Sequence, residues 1–265
     1  MATVGNQAEM PFLDHLEELR WRIMWSLLAL VICVGLSFVV LLKYDAIRFL
    51  ALPILPYVPD EHLITTHPAG AFKIVMSAAF ALGAVFASPV VVYQIWAFLS
   101  PALHKHEKRV IIPVLIFGAF LFLGGVALAF FALIPLTLRF LLGVQSTVIT
   151  PMISANEYFG FALSFSMIMG AVFEMPIVVL ALTALGLVTP ALLSKYRRHA
   201  FVICLVASAF ITPGQDPVSL AAVAIPLVGL YEVSVLCSRF VYRRRERREA
   251  EREAERAADE AGATA

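Results

Sequence analysis

Four carboxylates stand where a carboxylate is costly or conspicuous. Glu174 lies in GAVFEMPIVV, residues 170–179, inside a run of Ala, Val, Ile, Leu and Phe with no basic residue for more than a turn on either side. If that run crosses a bilayer, the charge costs about 3 kcal/mol on insertion scales and must face a bundle interior or a cavity. Two readings stand: hydrogen-bonded glue between helices, or a docking point or proton-handling group. Pro176 lacks an N–H, frees the carbonyl of Val172 and bends the helix beside the glutamate. Asp216 falls in ITPGQDP, residues 211–217, where Thr212, Pro213, Gly214 and Pro217 force a tight turn. It is either an ordinary turn aspartate or an acid at a thinned, water-filled place. Glu18, in HLEELRWR, and Glu107, in HKHEKR, each sit just outside an apolar block. Two carboxylates at one membrane face can receive two guanidinium groups bidentately. The plainer accounts are a Glu18–Arg22 pair one helical turn apart and a solvated Glu107 among lysines.

The chain has no Walker loop, no His or Cys cluster with metal-ligand spacing and no nucleophile–base pair, so the sequence predicts neither an enzyme nor a metal or cofactor site. Cys33, Cys204 and Cys237 all fall within apolar blocks and read as small buried hydrophobes rather than a disulfide framework.

The elements that must position these acids are membrane helices. Of 265 residues, 61% are hydrophobic and only 15% charged, with mean hydropathy +0.87, whereas soluble domains sit near one quarter charged. The apolar residues form blocks at 21–42, 72–99, 110–138, 158–187, 200–211 and 218–241. A crossing needs about 20 apolar residues for about 30 Å of hydrocarbon. Five blocks meet that, the last with Glu232 inside it. Block 200–211 covers only about 18 Å at 1.5 Å per residue, the length of a buried or re-entrant helix. The runs are continuous rather than alternating, so helices are expected, not barrel strands. The first twenty residues carry Glu9, Asp14, Glu17 and Glu18, and no cleavable signal peptide is expected.

Lys and Arg set the orientation. Arg20, Arg22, Lys105, Lys108, Arg109, Lys195, Arg197, Arg198 and the tail from Arg239 fall on one set of connections; Lys43, Arg48, Lys73 and Arg139 are spread over the other. This bias predicts six spans with both termini in the cytoplasm. Residues 1–20 read as an amphipathic interfacial arm, 21–241 as a six-helix transmembrane domain, and 242–265 as a charged tail, disordered or frayed. The first outer loop, with Pro53, Pro56, Pro59 and Pro68, is too proline-rich for one helix and is expected to fold as a short cap. Ser154 and Glu157 have capping-box spacing and place the start of the fourth span near Ala155. SPALHKHEKR and TPALLSKYRR each offer a capping Ser or Thr before a first-turn proline, Pro101 and Pro190.

Taken in order, HLEELRWR, YQIWAFLSPALHKHEKR, FEMP and TPGQDP resemble the TatC family, the multi-spanning receptor subunits of the twin-arginine protein translocase, over about residues 10–242. The resemblance implies an all-α integral membrane protein of six helices with a short fifth and sixth and a concave, glove-like shape. It implies export of folded proteins across the cytoplasmic membrane, driven by the proton-motive force, within an oligomeric complex in lipid. Twin-arginine signal peptides of the cargo would bind at Glu18 and Glu107, with Phe98, Arg20 and Leu103 in the same region. Glu174, Thr212 and Asp216 would form a polar site for single-span small subunits of the TatA/TatB type. Pro53, Pro101 and Pro176 would be structural. No nucleic acid is implied. Many members have a glutamine four residues after the turn aspartate; this chain has Leu220. The alternative from another class is a proton-coupled small-molecule transporter using Glu174, against which the lack of an inverted repeat counts.

Overall fold

The structure, a computed structural model, describes residues 10–58, 63–65, 67–99, 111–143, 152–184, 186–212, 214 and 216–263. The described residues are helical apart from turns and one parallel bridge between Ile64 and Ser154. They divide into two compact units, residues 1–172 and 173–265.

In the first unit, α1 runs Met10–Lys43, α2 Ala46–Ala51, α3 Gly70–Leu99, α4 Ile111–Leu128, α5 Ile134–Gly143 and α6 Ala155–Phe173, whose last residue belongs to the second unit. No Gly or Pro falls between Phe12 and Val34, so the expected interfacial arm and the first span form one unbroken helix. Lipid tails are as apolar as Leu, so membrane helices gain from close backbone approach through small residues rather than from burial alone. Accordingly α1 packs on α3, a helix whose Ala78, Ala79 and Ala87 are completely buried. A Cβ added to Gly83 would lie 2.6 Å from the Cα of Val34. Pro89 lies within α3 and frees the carbonyl of Val85; the hydroxyl of Ser88 donates to that carbonyl at 2.8 Å. Pro135 follows a π-helical turn, Ala129–Leu133, that joins α4 to α5.

The proline-rich outer loop folds as α2 and a 3-10 turn, Leu55–Tyr57, with Pro53 in the turn between them. It holds the start of α6. The carbonyl of Ile64 accepts from the amide of Ala155 at 2.8 Å, and the hydroxyl of Tyr158 donates to the carbonyl of Leu50 at 2.9 Å. The fourth crossing thus begins at Ala155, as the Ser154–Glu157 spacing indicates.

The second unit holds α7 (Met175–Ala184), α8 (Pro190–Lys195), α9 (Arg197–Ile211) and α10 (Pro217–Ala263). Thr189 caps α8 through its side chain, with Pro190 in the first turn. α7 and α9 pack on α10.

Among the described residues five helical stretches are long and apolar enough to cross a membrane: Leu16–Lys43, Gly70–Phe98, Ile116–Gly143, Ala155–Ala184 and Pro217–Arg243. The expected fifth span, α9, has 15 residues, about 22 Å, short of the hydrocarbon thickness. The expectation of a short last crossing is corrected: the stretch Pro217–Arg243 has 27 residues, and α10 continues beyond it to a total of 47. Its apolar stretch runs unbroken into an Ala/Glu/Arg-rich segment of high helix propensity.

Candidate functional site

Glu174 occupies the break between α6 and α7, and the division between the two units falls beside it. The cause is local. Pro176, buried in the first turn of α7, cannot donate to the Val172 carbonyl, and the helix restarts with the Glu174 carbonyl accepting from Ile177 at 3.0 Å and Val178 at 3.1 Å. The glutamate side chain is half-buried. Its Oε1 is fully shielded and has no hydrogen-bond partner among the described residues. A buried polar atom left without a partner costs about 1–3 kcal/mol and more when charged.

Thr212 closes α9. Its hydroxyl donates to the carbonyl of Ser208 at 2.8 Å, and the residue is 3% exposed. Asp216 caps α10: its Oδ1 accepts from the Ser219 amide at 2.8 Å, and Pro217 takes the first helical position, where its missing N–H is no loss. Burial, the largest single influence, pushes the Asp216 carboxyl up, but its hydrogen bonds with Ser219 and with the backbone amides of Asp216 and Val218 together outweigh it and hold the group below its usual value. Its Oδ2 and the Ser219 hydroxyl are buried without a partner among the described residues. Leu220 begins the α10 ladder, its amide donating to the Asp216 carbonyl at 2.9 Å.

At the other candidate site, Glu18 is half-buried on α1 and its Oε1 accepts from Arg22 Nε at 3.1 Å and from Nη2. The i, i+4 pairing open to these residues is formed. Arg20 is exposed, and Phe98 is half-buried near the end of α3. Pro101, Leu103 and Glu107 lie outside the described residues, so this site is described on one side only.

Sequence reasoning missed a set of ties around Glu232. Arg197 Nη2 donates to Glu232 Oε2 at 2.8 Å, Tyr231 donates to the Leu193 carbonyl at 2.7 Å and Arg239 to the Ser194 hydroxyl at 3.2 Å. A lone acid inside an apolar block was the signal, but its partner lies 35 positions away. No group of three or more His, Cys, Asp or Glu residues among the described ones could hold a metal.

A helical protein with several membrane-crossing stretches and acids at their breaks and ends is a polytopic membrane protein. The description "Sec-independent protein translocase protein (TatC)" matches residues 14–226. The TatC of Aquifex aeolicus is 39% identical over 239 residues, covering 89% of this chain and 98% of that protein. TatCy of Bacillus subtilis is 35% identical over 246 residues, covering 90% and 92%. A solved structure, "Crystal Structure of Twin Arginine Translocase Receptor- TatC", superposes with TM-score 0.74 at 38% identity, covering 86% of this chain and 99% of that one. This chain belongs to the TatC family of Sec-independent protein translocase proteins. It is a translocase subunit and not an enzyme. The small-molecule transporter reading finds no support among these relatives.

Proposed function

We propose that this chain is the receptor that captures twin-arginine signal peptides of folded cargo and assembles single-span small subunits of the TatA/TatB type around itself in the cytoplasmic membrane. Glu18 and Glu107 receive the two guanidinium groups, which pair bidentately with carboxylates where an ammonium cannot. Because Glu18 is paired with Arg22, the incoming arginine competes with a resident one, and Arg22 is released or shared on binding. Phe98, Arg20 and Leu103 complete the surface. Glu174 is the intramembrane contact for a polar group on a small-subunit helix, with Thr212 and the Asp216 turn belonging to the same polar face. Such contacts are worth about 1–2 kcal/mol in model peptides and often less, which suits a partner that must rearrange during transport.

Five full-length crossings alone would leave the termini on opposite sides. Counting α9 as a short sixth crossing returns both to one side, the cytoplasm by the Lys/Arg bias. Cargo movement draws on the proton-motive force, and no nucleic acid takes part.

The single observation that carries this reading is the shielded Oε1 of Glu174 within an apolar crossing, without a partner among the described residues. The test of the capture step is photocrosslinking of an Arg-Arg signal peptide to membranes containing this chain, with the Lys-Lys peptide as control. Crosslinks to the wild type that vanish with Lys-Lys or with Glu107→Lys are expected. Equal crosslinking of the Lys-Lys peptide, or of the Glu107→Lys variant, would refute it.

A further inference from the structure

The first unit contains a cleft of about 340 Å³ between α3, α4 and α6, lined by Phe49, Leu123, Phe130, Phe131, Leu163 and Met167 among others. Its size is that of a ligand site rather than a packing defect. The mouth is aromatic: Phe49 stacks on Phe130 with centroids 5.4 Å apart, and Phe131 meets Phe130 edge-on at 5.0 Å. Phe130 and Phe131 both meet the Phe49 ring from within the π-helical turn, a feature frequent at functional sites. Phe49 and Phe131 are 51% and 67% exposed, so the mouth is accessible from outside the unit.

A second recess, of about 560 Å³, adjoins the first, with Phe159 lining both. Its wall carries Asp45, Arg48 and Thr65. Short α2 therefore places Arg48 on the wall of this recess and the next residue, Phe49, on the wall of the apolar cleft. Asp45 stands at the start of α2 in the left-handed region, φ 44°, and its side chain makes no capping bond to the helix.

We propose that the pair of recesses holds one phospholipid whose headgroup carries both a phosphate and a primary ammonium, as in phosphatidylethanolamine. The phosphate lies at Arg48, the ammonium at Asp45 and one acyl chain in the aromatic-walled cleft. An acyl chain needs only apolar walls. A partner helix about 10 Å across needs small residues at the point of approach, which this chain supplies at Gly83 but not at the phenylalanine mouth. The opposite charges in one recess match a zwitterion better than a purely anionic lipid. This site is independent of signal-peptide capture.

The test uses the full chain in phosphatidylcholine nanodiscs doped with equal amounts of phosphatidylethanolamine or phosphatidylglycerol, each carrying a diazirine on one acyl chain, with adducts mapped by mass spectrometry. Phosphatidylethanolamine adducts concentrated at Leu123–Phe131 and Phe159–Met167 are expected, about threefold over phosphatidylglycerol, the scale of one exposed ion pair. Asp45→Asn, which tolerates the left-handed backbone, should bring the two lipids to parity. Arg48→Gln should lower both. Equal labelling of the wild type by the two lipids, or adducts spread over the exposed faces of α1 and α10 alike, would each overturn the assignment.

Discussion

The two units use different means to hold helices together. The first relies on shape: α1 and α3 close on Gly83, and α6 crosses α4 where a Cβ on Gly170 would meet the Val126 side chain at 2.8 Å. The second relies on polar ties: the Thr183 and Ser238 hydroxyls bond at 2.9 Å, Ser234 and Ser238 are completely buried, and Arg197, Tyr231 and Arg239 tie α8 and α9 to α10. Shape tolerates no added atom. Polar ties can each be lost at modest cost, which suits the unit that also holds Glu174.

That difference can be broken first at Gly83. Gly83→Val places side-chain atoms against the Val34 backbone, and overpacking costs about 1–3 kcal/mol or more; the purified variant should show a lower unfolding midpoint or fail to fold, while Gly35→Ala, with open space around it, should not. A smaller effect is expected at the α10 cap. Asp216→Ala should cost about 1 kcal/mol, and Asp216→Asn should retain most of that. Because the folded carboxyl is held down, its contribution is complete above the unfolded value near pH 4 and fades as pH falls through the lower folded value. Acid titration of wild type against Asp216→Asn reads this. Smaller still, a double-mutant cycle on Thr183→Ala and Ser238→Ala should give a coupling of about 0.6 kcal/mol, the average for buried interhelical bonds in membranes. The exposed Arg197–Glu232 pair should contribute about 0–1 kcal/mol and respond to salt. If the hydroxyl pair proves stronger than the Gly83 contact, the contrast between the units is wrong.

Much of this was legible. Hydropathy length located the long crossings and singled out 200–211 as too short, because span length is fixed by bilayer thickness. Ser154 and Thr189 marked helix starts through local chemistry. What sequence could not give was long-range. Ile64 meeting Ser154, Tyr158 reaching Leu50 and Arg197 finding Glu232 depend on topology rather than on neighbours in the chain. The short last helix came from the resemblance alone, whereas the apolar block 218–241 already had crossing length; α10 runs on into the charged segment because backbone hydrogen bonding continues across a change of solvent. Glu18 shows the opposite case: its Arg22 pairing followed from spacing alone, and its role in capture rests on the resemblance.

The most direct measurement takes Glu174→Leu in two readouts, unfolding stability of the chain alone and co-purification of the small subunits. An oxygen buried without a partner among the described residues predicts that removing it leaves stability unchanged or raised, while co-purification falls. Lower stability by more than about 1 kcal/mol with co-purification intact would make Glu174 internal glue and contradict the account.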